Sequence, residues 1–252
     1  MTQALFTYLL TLGDDSLVLG QRLCEWSGTA PTIEVDLSLS NLALDLIGQA
    51  TLLLDYAGEV EGRRRDADAL AFHRDAEQFR NSLLVEQANG DFAETMARQL
   101  LFSTYQRHLY EALCASADQR IADIAAKAVK EVRYHAGLAA DWVVRLGQGT
   151  EESHARMADG MDGAWRFIDD LFTMDDGEQA LATAGIAADK AALRPLILAE
   201  LRAVLHHAGL DDRSDALPWQ VTGGRCGRHG EQLGRLLAEM QVLPRAHPEA
   251  AW

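Results

Sequence analysis

A histidine at position 135 with a glutamate four residues before it, an aspartate at 45 and adjacent aspartates at 14 and 15 are the groups in this sequence best suited to hold a metal or move a proton. Two metal ions inside a helical bundle need a Glu from each of two helices and a Glu-x-x-His pair from each of the other two. Residues three apart share a helix face, which lets both side chains of such a pair reach one ion. A helical wheel at 3.6 residues per turn shows which side chains meet that demand. The apolar stripe of the second predicted helix is Leu39, Leu42, Leu46, Leu53 and Ala57, with Gln49 in its middle, Asp45 at its edge and Gly48 three residues after Asp45. The third helix has Phe92, Met96, Tyr110, Leu113 and Cys114, interrupted by the neutral Gln99, Ser103 and Gln106. The fourth has Ile121, Ala125, Ala128, Val132, Ala139 and Val143, with His135 central and Glu131 at the margin, one residue out of phase for Glu-x-x-His. The first offers only Asp14 and Asp15, beside Ser16.

These stripes lack the ligands of a dimetal centre, and no catalytic residue or metal ligand is assigned to this chain. The residues Asp45, Gln49, Gln99, Ser103, Gln106, Glu131 and His135 are expected to form a polar core held by hydrogen bonds. A buried polar group left unpaired costs about 1–3 kcal/mol. Other chemistries have weaker signals. No GxxxxGK[ST], strand-associated GxGxxG or GxSxG occurs. Thr222-Gly223-Gly224-Arg225 reads as a loop, or as a weak anion site formed by exposed N–H groups. Arg63-Arg64-Arg65 reads as solvated loop residues or as a contact for an anionic cofactor.

The elements that must position these residues are helical throughout. Five prolines in 252 residues and a pervasive 3.6-residue period predict long helices at about 3–26, 36–57 (capped by Asp36), 92–115, 119–146 and 152–172. Shorter helices are expected at about 67–79, 178–184, 190–208 and 230–241, with a loop at Gly209–Arg228. The fold class is therefore all-α: a ferritin-like four-helix bundle with additional helices, in one domain over 1–252. The main bundle covers about 3–172 and the extra helices about 178–252. A net charge of −15 opposes nucleic-acid binding. Three dispersed cysteines suggest neither a disulfide framework nor a zinc site, and read as small buried residues in a reducing compartment. The N-terminus lacks a basic signal region, and no apolar run approaching ~20 residues is evident. The expected location is the cytoplasm, without membrane contact.

Five stretches, in order along most of the chain, carry a specific resemblance: LTLGDDSLVLGQRLCEW (Leu10–Trp26), VDLSLSNLALDLIGQA (Val35–Ala50), DAEQFRNSLLVEQANGDFAETMARQ (Asp75–Gln99), KAVKEVRYHAGLAADWVVRLGQGTEESHARM (Lys127–Met157) and TGGRCGRHGEQLGRLLAEMQVLPRAHPEAAW (Thr222–Trp252). They are similar to the C subunits of bacterial phenylacetyl-CoA oxygenases, the ring 1,2-epoxidases. One departure is His229-Gly230-Glu231-Gln232, where the family pattern has Thr and His in place of Gly230 and Gln232. The resemblance implies a structural, non-catalytic subunit in aerobic phenylacetate breakdown. Its partner would be the catalytic A subunit, which holds the di-iron centre, and this chain would carry no cofactor. Alone, the chain would form a homodimer. Leu52–Leu54, Trp165, Phe167, Leu236 and Leu237 are candidate contacts with the partner. The alternatives are a degenerate di-iron oxidase using Asp45, Glu131 and His135, or a generic ferritin-like metal or interaction bundle.

Overall fold

Helix starts follow the capping residues. In the computed structural model, which describes residues 1–210 and 220–248, α1 spans Thr2–Cys24 and α2 Ile33–Glu61. Thr32, not Asp36, caps α2 by accepting from Val35 N at 3.3 Å, so the helix begins three residues before the expected start. Asp36 instead accepts from Gly28 N at 2.6 Å and ties down the preceding turn. Further on come α3 (Ala67–Phe72), a 3₁₀ turn at Ala76–Gln78 and α4 (Leu83–Glu86). The long α5 (Phe92–Leu113) starts at a capping box made by Asp91 and Glu94, and α6 (Gln119–Gly147) is capped by Asp118. The expected fifth helix is divided into α7 (Glu151–Trp165) and α8 (Ile168–Leu171), separated at Arg166 and Phe167. At the break, the Arg166 carbonyl accepts from Val221 N at 2.9 Å. The remaining helices are α9 (Asp176–Thr183), α10 (Lys190–His207) and α11 (Glu231–Ala246), the last preceded by a 3₁₀ turn at Gly224–Cys226. No strand occurs among the described residues. Part of the expected Gly209–Arg228 loop, residues 211–219, lies outside them, as do residues 249–252 of the tail.

The chain divides into two compact units. One comprises Met1–Ala88 with the described part of Gly223–Trp252, and the other Asn89–Thr222. In the first, α1 and α2 run antiparallel. A Cβ at Gly13 would fall 2.8 Å from Leu54, and one at Gly20 would fall 3.1 Å from Ile47, so the contacts on α2 recede as α1 advances. The missing side chains let the two backbones approach closely over Leu42, Leu46, Leu53 and Leu54, all buried. In the second unit α5 and α6 are likewise antiparallel: Arg133 pairs with Glu111 at 2.9 Å, and Phe92 stacks edge-on against Trp142 at 5.0 Å. There α7 and α10 pack against α5, and the buried Lys190–Glu178 pair (2.7 Å) joins α10 to α9.

Two expectations change. By length and hydropathy α2 does meet the criterion for a membrane span, with an 18-residue window of mean hydropathy 1.4. Its inner face is core against α1, and the apolar excess lies in Ile33, Leu37 and Leu44, exposed on one side of the helix. All three cysteines are exposed, not buried. Cys24 and Cys114 stand at helix C-termini and Cys226 in the 3₁₀ turn, where the chain leaves regular packing.

Candidate functional site: a buried ionic core and neutral polar stripes

Asp14 and Asp15 sit mid-helix in α1 on a buried face, and the chain supplies each with a cation. The Arg74 guanidinium, following α3, forms a bidentate pair with Asp14, one arm at 3.0 Å, and Arg80 N donates to the same carboxylate at 2.8 Å. Arg74 also lies over the Phe79 ring, 4.2 Å from its centroid. Asp15 accepts from Arg225 at 2.7 Å and from Ser82 N at 2.7 Å, while the other Arg225 arm reaches the carbonyls of Arg80 (3.1 Å) and Thr11 (3.3 Å). A third buried carboxylate, Glu86 of α4, accepts from Asn81, from His229 Nδ1 at 2.7 Å and from Gly230 N at 2.7 Å. Arg22 of α1 donates to the backbone carbonyls of Glu86 and Gln232, and Gln241 of α11 donates to those of Ala71 and Arg74 at 3.0 Å each.

The C-terminal segment is thus bound to α1 and to the 70–88 stretch by buried, paired ionic groups. The Thr222–Arg225 run is the entry of an anchoring arginine into the core, and no exposed anion cradle forms there. Gly227, at φ 77°, turns the chain where a Cβ would fall 2.2 Å from the Glu77 carbonyl. Gly230 and Gln232 make their contacts here through the main chain, by Gly230 N and the Gln232 carbonyl.

The expected polar core divides between the two units. Asp45 and Gln49 belong to α2 of the first; Gln49 is buried and Asp45 half-buried. Gln99, Ser103 and Gln106 on α5 and His135 on α6 belong to the second and are all buried, with Glu131 half-buried. Ser103 Oγ donates to the Gln99 carbonyl at 2.6 Å, one turn back along its own helix. Gln49 is the inward residue on its turn, where the wheel places it, and Gly48 is exposed, with nothing within 4 Å of where a Cβ would stand. Of the candidate partner contacts, Trp165, Leu236 and Leu237 are buried in the chain's own packing and Phe167 is half-buried. Leu53 and Leu54 are buried against α1 and Leu52 is half-buried.

This donor set does not fit a carboxylate-bridged di-iron centre. The carboxylates of α1 are committed to guanidinium groups, the α5 stripe is neutral, and α2 and α6 each carry one half-buried acid, Asp45 and Glu131. Among the described residues no group of three or more His, Cys, Asp or Glu side chains is placed to hold a metal ion.

The fold is that of an all-α protein of the ferritin-like helical class. Over residues 1–252 the sequence matches the family described as phenylacetic acid catabolic protein, and the chain belongs to that family. It is 46% identical over 248 residues to the C subunit of the 1,2-phenylacetyl-CoA epoxidase of Escherichia coli (strain K12), covering 98% of this chain and 99% of that one.

Proposed function

We propose that this chain is the structural, non-catalytic subunit of a cytoplasmic phenylacetyl-CoA epoxidase, associated with and stabilising the subunit that carries the di-iron centre. The observation that carries this reading is the 46% identity along essentially the full length of both chains to a protein named as the C subunit of that enzyme. The neutral α5 stripe and the committed carboxylates of α1 support it, because they leave too few donors for two irons. Exposed Ile33, Leu37 and Leu44 on α2 further support a life in a complex, since an apolar helix face of this kind is stabilised by a covering partner.

Size-exclusion chromatography after co-expression with the catalytic subunit tests the association. One shared peak is expected, with the chain alone migrating as a homodimer. Two separate peaks under all salt conditions would refute the proposal.

A further inference from the structure

The outer face of α2 carries more apolar surface than this chain covers. Ile33, Leu37 and Leu44 are 77%, 60% and 67% exposed. At 3.6 residues per turn they fall, together with Gly48, inside an arc of roughly 60°. The most apolar 18-residue window of the helix has mean hydropathy 1.4, yet only 44% of it is buried. Glycine in a helix interior lowers stability, and its use needs a reason. A Cβ at Gly13, Gly20 or Gly58 would fall 2.8, 3.1 or 1.8 Å from a neighbouring atom, which supplies that reason. Gly48 has nothing within 4 Å, so no contact inside the chain calls for glycine there. Gly137, Gly163 and Gly234 are open in the same way. Among the described residues, only Gly48 of these shares its helix face with three exposed large apolar side chains. The stripe is three knobs and one notch.

We propose that this stripe is the contact with a second copy of the chain, the two α2 helices running antiparallel about a two-fold axis between Ser40 and Asn41. Leu37 of one copy then packs on Leu44 of the other, and Ile33 fits over the notch at Gly48, each contact being made twice. Sliding the helices spoils the match. Setting Leu44 over Gly48 brings Leu37 and Ile33 opposite Asp55 and Glu59. Setting Leu44 on itself brings Ile33 opposite Asp55 and leaves Gly48 opposite Ser40. An apolar side chain laid on a carboxylate desolvates the charge without pairing it. A parallel pair would put the two notches face to face. One register therefore suits all four positions, and it is self-complementary.

A bilayer is the other surface an apolar helix face could meet. Glu34, Asp36 and Asp45 flank this one, however, and a chain of net charge −15 is repelled by anionic headgroups. The stripe is roughly 22 Å long and falls short of a standard interface of about 800 Å² per partner, so the dimer is weak and dissociates on dilution. The inference rests on the reading of the chain as a homodimer when alone, and not on its part in the epoxidase.

The test is sedimentation equilibrium of the full chain, with cysteine cross-linking on the same face. Gly48→Leu is expected to weaken dimerisation at least tenfold, because a side chain fills the notch. Its melting temperature, compared at concentrations where both proteins are monomeric, should equal or exceed the parent's, leucine being the better helix former. With Cys24, Cys114 and Cys226 replaced by serine, Asn41→Cys should oxidise to a covalent dimer, since position 41 meets its own copy beside the axis. Ile33→Cys should not, because the two copies of position 33 stand roughly 22 Å apart. Equal cross-linking at 33 and 41 would overturn the antiparallel register. An unchanged dimer in Gly48→Leu would overturn the surface, and loss of co-elution with the catalytic subunit in that variant would then assign the stripe to that protein. Binding of the parent to phosphatidylcholine vesicles, lost in Leu37→Glu, would overturn it in favour of a bilayer. A parent that stays monomeric at every concentration would overturn the homodimer reading and this surface together.

Discussion

Replacing Arg74 by methionine is expected to lower the stability of the chain by about 3–5 kcal/mol, the usual loss when one partner of a buried ion pair is removed. Asp14 is fully buried, and Arg74 is the only cation paired with it among the described residues. Arg80 N would remain as a donor at 2.8 Å, but a single amide does not neutralise a carboxylate in the interior. The substitution also removes the stacking on Phe79 and the bond to the Leu70 carbonyl. For a chain of this size the loss corresponds to a fall in melting temperature of roughly 6–20 °C, readable by circular dichroism. Asp14→Leu combined with Arg74→Met should recover part of the loss, because removing both charges also removes the desolvation penalty. A single-variant loss below about 1 kcal/mol would mean that the pair is solvated and does not hold the unit together.

Ending the chain at Thr222 should have a larger effect. Asp15 would lose Arg225, Glu86 would lose His229 and Gly230 N, and the Gln241 bonds to the 71–74 backbone would go. Two buried carboxylates deprived of these partners, at up to about 3–5 kcal/mol each, approach the entire stability of most domains, about 5–15 kcal/mol. Loss of the buried Leu233, Leu236 and Leu237 adds to this. The truncated chain is expected to be insoluble, or to keep helical circular dichroism without a cooperative melt, and to fail to co-elute with the catalytic subunit. A soluble truncation with a parent-like melt would show that the C-terminal segment is an appendage.

These two predictions rest on contacts that helix periodicity does not reveal. The long helices were legible because their apolar residues recur at the helical period and their starts carry Asp or Thr caps, as at Asp91, Asp118 and Thr150. Local signals misplaced boundaries, and the helix expected at about 67–79 ends at Phe72, with a separate 3₁₀ turn at Ala76–Gln78. Asp36 has the right chemistry for a cap but is used by Gly28 N, and α7 ends at Trp165 because the chain breaks around Arg166, where a carbonyl is taken by Val221. The neutral character of Gln99, Ser103 and Gln106 was legible from spacing, and so was their burial. The ionic core was not, because Arg74 and Arg225 lie 60 and 210 residues from the aspartates they serve. One signal could have pointed to it: adjacent aspartates on the apolar face of a helix require buried cations. Arginine 225, set among glycines in Gly223-Gly224-Arg225-Cys226-Gly227, is a side chain given room to enter a core.

Counting metal on each chain decides whether this chain supports the chemistry of a partner without performing it. The chain and its catalytic partner would be co-expressed with ample iron, purified aerobically as the complex and separated under mild conditions. Iron would then be measured on each by elemental analysis. About two irons are expected per catalytic chain, as a ferritin-like di-iron centre requires, and only trace iron on this one. Near-stoichiometric iron on this chain, lost on replacing Glu131 or His135, would contradict this expectation.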